Sequence, residues 1–235
     1  MLAREIAQRE SLSFVTGWLE PNSRVLEVGC GAGDLAAALG AAGHCVVAID
    51  ANAERVAEAR ARGVDARVAA FPDFRDVAFD AVLFTHSLHH VHDLAGAVAR
   101  ARELLRPGGA LVVEDFTWDE LDAGTAAWAY ARFDAERDAL RFGPRAWRHA
   151  GDPLAAWREH FLEHELHGAS ALRAALAKHF TPVSDAPAPY FFRFVCHSLG
   201  DAKDGAALAA AFLHDERALI ARGEIAALGW QLALR

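Results

Sequence analysis

Apolar residues in this chain follow two rhythms. Short, nearly continuous runs have the length of strands and the composition of strands buried on both faces: Val25-Leu26-Glu27-Val28, Cys45-Val46-Val47-Ala48-Ile49, Phe79-Asp80-Ala81-Val82-Leu83-Phe84 and Ala110-Leu111-Val112-Val113. Val64 to Phe71 reads as a further strand. Between the runs the spacing turns helical. Asp34-Leu35-Ala36-Ala37-Ala38-Leu39 starts one helix, and Leu94, Ala97, Val98, Ala101, Leu104 and Leu105 form the apolar face of another. Asp93 is placed to cap that second helix, and Arg106-Pro107-Gly108-Gly109 to stop it, because proline cannot continue a helix and glycine accepts the left-handed exit. Strand–helix alternation from 23 to 116 predicts a parallel sheet with right-handed crossovers.

The flanks differ. Residues 1 to 20 read as an amphipathic helix carrying Phe14, Val15, Trp18 and Leu19. Residues 117 to 168 break the alternation and are rich in aromatics (Trp118, Trp128, Tyr130, Phe133, Trp147, Trp157, Phe161), which predicts helices without a strand. Farther on, 171 to 179 reads as helix and Tyr190-Phe191-Phe192-Arg193-Phe194-Val195 as a strand. Asp204 then caps a helix running to Gly223. Leu228, Trp230, Leu232 and Leu234 alternate with Gly229, Gln231 and Ala233, the period of a last strand.

Candidate chemistry starts where the first strand ends. Val28-Gly29-Cys30-Gly31-Ala32-Gly33 is a glycine-rich turn leading into a helix, whose free backbone N–H groups point at whatever the loop holds. The second strand ends in Asp50, the position of the acid that takes ribose hydroxyls in nucleotide-binding α/β sheets. Together these imply an adenosine-bearing cofactor. Spacing argues against a dinucleotide, whose third glycine lies three places after the second; Asp34 stands there and Gly33 comes one residue early. Glu27, an anion just before the loop, suits a cationic ligand better than a pyrophosphate.

The pattern Glu27-x-Gly29-x-Gly31-x-Gly33 resembles motif I of the class I S-adenosylmethionine-dependent methyltransferases. Ser87-Leu88-His89-His90 and Leu105-Arg106-Pro107-Gly108-Gly109 resemble later motifs of the same superfamily, in its type 11-like branch. The likeness is specific over residues 20 to 116. It implies a Rossmann-like, seven-stranded, mostly parallel sheet in the order 3-2-1-4-5-7-6, flanked by helices, with a helical insertion after the fifth strand. The chain is then one methyltransferase domain, 1–235, with 117–168 as a substrate lid. The resemblance implies S-adenosylmethionine as cofactor, Glu27, Gly29, Cys30, Gly31 and Gly33 around its methionine end, and Asp50 and Ala51 at the ribose. It places Ala70 and Phe71 at the adenine, and Thr85 and His86 beside the transferred methyl. One departure stands out: alanines fill Ala69 and Ala70, where the family has an acid for the adenine, and Asp73 comes late. Either Asp73 reaches back, or a backbone carbonyl or water meets the adenine amino group, while the Phe71 N–H serves adenine N1.

Composition narrows the partners. The chain has 235 residues, 53% of them hydrophobic, with no apolar run near the roughly 20 residues of a membrane span. Its amino terminus lacks a signal-like apolar run, and three scattered cysteines lack metal-ligand spacing, so a cytoplasmic setting with reduced thiols is expected. A net charge of −8 disfavours a broad nucleic-acid footprint, and a small molecule is the expected substrate.

Histidines dominate the remaining chemistry. His86, His89, His90 and His92 follow the fourth strand; His86 and His90 are the candidate catalytic pair, His86 leading as general base, against the plainer reading that such imidazoles only orient the loop. His160, His164 and His167 would share one face of a helix, for substrate contact, a transition metal or simple exposure; no metal site is assigned. Arg132, Arg137, Arg141, Arg145, Arg148 and Arg158 could clamp an anion, or pair with Asp134, Glu136 and Asp138. The expected activity is O- or N-methylation of a small molecule. The alternatives are a catalytically silent S-adenosylmethionine-binding protein or a nicotinamide-dependent oxidoreductase.

Overall fold

A computed structural model describes residues 2–76, 78–136, 139–140, 151–199 and 205–235. Arg137, Asp138, Arg141, Arg145, Trp147, Arg148 and Asp204 lie outside the described residues. The chain divides into a sheet unit (Glu10–Asp115, Ser170–Ala186, Trp230–Arg235) and a helical unit (Met1–Arg9, Phe116–Ala169, Pro187–Gly229).

In element order the chain runs α1 (Ala3–Thr16), β1 (Arg24–Val28), α2 (Asp34–Ala41), β2 (Cys45–Asp50), α3 (Ala53–Ala61), β3 (Asp65–Val68) and β4 (Phe79–Thr85). It continues through α4 (Leu94–Leu104), β5 (Leu105–Phe116), α5 (Ala123–Ala135), α6 (Pro153–Leu162), α7 (Ala169–Leu176), β6 (Pro182–Ala188), α8 (Phe191–Leu199), α9 (Gly205–Ala221) and β7 (Gly229–Leu234). The seven strands lie in the order β3-β2-β1-β4-β5-β7-β6, as the resemblance implies. β1 pairs parallel with β2 and β4, β2 with β3, and β4 with β5. Thr181 and Arg235 exchange both backbone hydrogen bonds (2.8 and 3.0 Å), the mark of an antiparallel pairing beside β6 and β7.

Strand alternation sends successive side chains to opposite faces of the sheet, which decides what each strand buries. On one face Leu26, Val28, Val82, Phe84, Leu111 and Val113 pack with Leu94, Val98 and Ala101 of α4 and Leu172 and Leu176 of α7. On the other, Val25, Ala81, Leu83 and Val112 pack with Val15 of α1 and Leu35 and Leu39 of α2. Asp93 caps α4 as expected, its carboxylate accepting from the Gly96 N–H at 2.9 Å. β5 begins earlier than its apolar run suggests. Leu105 already pairs with Phe79, and the Pro107-Gly108-Gly109 stretch is absorbed as a register irregularity before Ala81 meets Ala110.

The helical unit has its own core, in which Trp157, Phe191, Phe192 and Phe212 are fully buried. Phe116 stacks on Tyr190 with ring centroids 4.4 Å apart, and the Trp157 indole donates to the Trp118 carbonyl at 2.8 Å. Here one expectation is overturned. Tyr190 to Val195 is not a strand; Phe191–Leu199 is α8. Phe191, Phe192, Val195, Cys196 and Leu199 form a buried helical face, and the Glu216 carboxylate accepts from the N–H groups of Tyr190, Phe191 and Phe192 at 2.7–3.0 Å. Those three donors are free at any helix start, so a buried acid from α9 caps the turn. The sixth strand is instead Pro182–Ala188, whose two prolines are tolerated because it is the edge of the sheet. The histidine triplet also fails to form one face: α6 ends at Leu162, and Glu165 takes a left-handed φ of 52°. His160 and His164 remain neighbours, with rings 4.7 Å apart, while the His167 carbonyl accepts from the Trp118 indole.

Candidate active site

At the carboxyl ends of the parallel strands a cleft of about 530 Å³ opens within the sheet unit. Its walls come from three places: Val28 and Gly29 after β1; Ile49, Asp50 and Ala51 at the end of β2; and Ala69 to Pro72 beyond β3. The loop after β4 closes the remaining side with His86, Ser87 and His90 to Asp93. The volume lies within the usual range for a small-molecule or cofactor site, and the position is where open α/β sheets bind ligands.

The glycine loop is clamped to the end of β2. Gly29 and Cys30 donate to the Ile49 carbonyl at 2.8 and 3.0 Å, and Gly31 donates to Asp50 Oδ2 at 2.9 Å. Asp50 Oδ1 takes the Asn52 N–H at 2.8 Å, so the carboxylate is oriented from both sides. Gly29 has φ 74° and a Cβ there would meet the Ser87 Cβ at 2.6 Å, so only glycine fits. Gly31, at φ 53°, has nothing within 4 Å of a Cβ position: its open side is room for a ligand.

Glu27 lies beneath this loop on the strand face opposite Leu26 and Val28. It is buried, Thr85 Oγ1 donates to its Oε1 at a long 3.5 Å, and its Oε2 has no hydrogen-bond partner among the described residues. Desolvation pushes its pKa up to about 8. A buried acceptor left open is costly, and a cationic ligand group would relieve it. Burial likewise pushes the Cys30 thiol up to about 12, which keeps it protonated and inert.

After β4 the chain turns sharply. His86 adopts a left-handed φ of 56°, and its backbone N–H donates to the Glu114 carbonyl at 2.6 Å. Its Nε2 lies 3.3 Å from Glu114 Oε2. Ser87 Oγ donates to the Val28 carbonyl at 2.6 Å, tying this loop to β1. His89 points inward and is buried, its Nδ1 2.5 Å from Asp115 Oδ1. It is a structural histidine, and its ring lies 4.1 Å from that of the exposed, cleft-lining His90.

Of the residues expected from the sequence, Gly29, Asp50, Ala51, Ala70, Phe71, His86 and His90 line the cleft. Glu27, Cys30, Gly31, Gly33 and Thr85 belong to the loop and floor behind it. Asp73 is not among the cleft residues; its N–H donates to the Ala70 carbonyl. Two acids escaped notice. Glu114 and Asp115 follow directly on the apolar run Ala110-Leu111-Val112-Val113 near the end of β5, and a pair of acids closing a buried run is the signal that marks them. Among the described residues no group of three or more His, Cys, Asp or Glu could hold a metal ion, and no helix is long and apolar enough to cross a membrane.

A Rossmann-like sheet in this order, with a glycine loop facing an acid at the end of β2, defines a nucleotide-type cofactor site. Residues 2–169 match the methyltransferase domain family, and the chain belongs to it. The chain is 36% identical over 161 residues to a ubiquinone biosynthesis O-methyltransferase of Xanthomonas axonopodis pv. citri, a match covering 62% of this chain and 65% of that relative's length. In fold it is similar to an S-adenosylmethionine-dependent methyltransferase of Mesorhizobium loti (TM-score 0.59, 17% identity, 99% and 97% of the two chains). It is also similar to the [4+2]-cyclase SpnF (TM-score 0.57, 20% identity, 97% and 81%). The fold alone therefore does not name the reaction. Family membership removes the nicotinamide alternative.

Proposed function

We propose that this chain methylates an acidic hydroxyl, phenolic or enolic, on a small molecule. The observation that carries the reading is His86: an imidazole in the cleft wall, held in a strained turn with a buried carboxylate 3.3 Å from its Nε2. Support for oxygen as the acceptor comes from the O-methyltransferase relative. S-adenosylmethionine, when bound, supplies an electrophilic methyl group on a sulfonium. The residues present fit it. Glu27 offers an open, buried acceptor to a cation, Asp50 a fixed carboxylate to ribose hydroxyls, and Ala70 and Phe71 a flat apolar wall to the adenine.

What the protein adds is alignment and a base. Positioning two reactants supplies much of the rate in a displacement at carbon, and a walled cleft excludes competing water. His86 takes the hydroxyl proton as the oxygen attacks. An imidazole near neutrality matches a phenol at about 10 far better than an alkyl alcohol near water's value of about 16. The segment 117–168 is the part we assign to acceptor selection.

The test is product mass spectrometry with matched phenols, alkyl alcohols and amines, beside pH–rate profiles of wild type and His86→Ala. Methylated phenols, a rate rising through the imidazole range, and a 10²–10⁴-fold lower turnover in the variant with cofactor affinity kept are expected. Preferential methylation of amines, or identical profiles in the two proteins, would overturn it.

A further inference from the structure

Glu114 sits where a strand interior should hold an apolar residue. It is buried on β5, in register with Thr85 of β4, so the residue after Thr85 emerges beside it. Three side chains reach it from three elements. Ser11 of α1 donates to Oε2 at 2.5 Å, Gln231 of β7 donates to Oε1 at 2.8 Å, and His86 Nε2 lies 3.3 Å from Oε2. Ser11 and Gln231 are neutral donors that fix the carboxylate and stabilise its charged form beside the imidazole. The other titratable groups of the cleft are Asp50 at the end of β2 and His90, His92 and Asp93 of the loop that carries His86, with Glu27 of β1 beneath.

We infer that Glu114, braced by Ser11 and Gln231, is the positioning residue of a His86–Glu114 dyad, holding the imidazole's orientation and tautomer and stabilising the imidazolium formed when His86 accepts the acceptor's proton. The inference rests on the reading of His86 as the base. The step balances: the hydroxyl proton moves to His86, and an oxygen electron pair forms the bond to the methyl carbon as the carbon–sulfur bond breaks with its pair kept on sulfur. The neutral thioether leaves, and the imidazolium returns its proton to solvent after product leaves. Nothing in this arrangement serves cofactor binding directly. Glu114 is therefore separable from the loop residues that do.

The experiment follows the His86 imidazole by NMR in ligand-free, full-length protein across pH, its signal assigned by its loss in His86→Ala. Glu114→Gln keeps the size and an acceptor for Ser11 while removing the charge. The expected result is a His86 midpoint lower by about one unit or more, since an opposite charge within about 4–6 Å favours the protonated form. kcat should fall at least about 10-fold, while KM and cofactor affinity stay put and the acid limb of the rate profile moves with the NMR midpoint. Should Glu114→Gln fail to fold, Ser11→Ala retains the charge and removes one brace. The carboxylate's field on His86 then strengthens and the midpoint rises. An unchanged His86 midpoint in a folded variant overturns the dyad, even if methyl transfer to phenols is robust. Conversely, a shifted midpoint in a protein that methylates no hydroxyl leaves the dyad standing and overturns the assigned reaction.

Discussion

Glu114 in the sheet unit and Glu216 in the helical unit are both buried carboxylates, and their partners are of different kinds. Glu216 is wholly buried and accepts three consecutive backbone N–H groups at the start of α8. Burial raises its pKa, and the three donors oppose that rise. Glu114 instead meets side chains: a serine, a glutamine and a histidine. Backbone donors are fixed by the fold, so an acid that saturates them is part of the architecture. Side-chain partners, one of them the cleft-lining His86, leave an acid able to respond to a ligand. Glu27 extends the contrast, because one of its oxygens has no hydrogen-bond partner among the described residues.

That contrast breaks most visibly at Glu216. Glu216→Ala leaves three buried donors without an acceptor and should destabilise the protein by about 3–5 kcal/mol, the scale of breaking a buried charged network. Urea unfolding followed by tryptophan fluorescence reads it; an unchanged midpoint would show that water replaces the carboxylate. Next in size is Asp50→Ala, which should weaken S-adenosylmethionine on the order of 10- to 100-fold, through lost charged hydrogen bonds and a loosened Gly31. Calorimetry on the folded variant checks it, and equal affinity would remove Asp50 from the ribose role.

Glu27 yields a smaller, pH-dependent effect. Its folded pKa of about 8 lies above the ordinary carboxylate value of 4.5, so its neutral form favours the folded state below about 4.5. That contribution fades as pH rises toward 8, where the protein must bury a charge. Ligand-free Glu27→Gln should accordingly melt higher than wild type at pH 8, by on the order of 5 °C, and nearly with it at pH 5. Its cofactor affinity should fall, because the neutral amide no longer answers a cation. Equal melting at both values would mean the carboxyl is hydrated in solution. The smallest effect is expected from His164→Ala. Cofactor affinity should stay within about threefold while turnover or acceptor preference changes, since 117–168 is assigned to the other reactant. A clear loss of cofactor affinity would place this segment in the cofactor site.

How far the sequence reached depends on how local the cause is. β1, β2, β4, the glycine loop and Asp50 were readable because buried parallel strands are apolar runs, and a left-handed turn against Ser87 demands glycine. The Asp93 cap was readable because a cap spans three residues. The sequence by itself thus determined the parallel-sheet class, the glycine loop and the family. Only the tertiary structure decided that Phe191–Leu199 is a helix, since an apolar run is ambiguous until Glu216, a helix away in sequence, caps it. It alone brought Ser11, His86, Glu114 and Gln231 together, from four elements whose spacing carries no mutual signal. Periodicity and turn chemistry act over a few residues, whereas a buried polar network is assembled by strand register and helix docking across the whole fold.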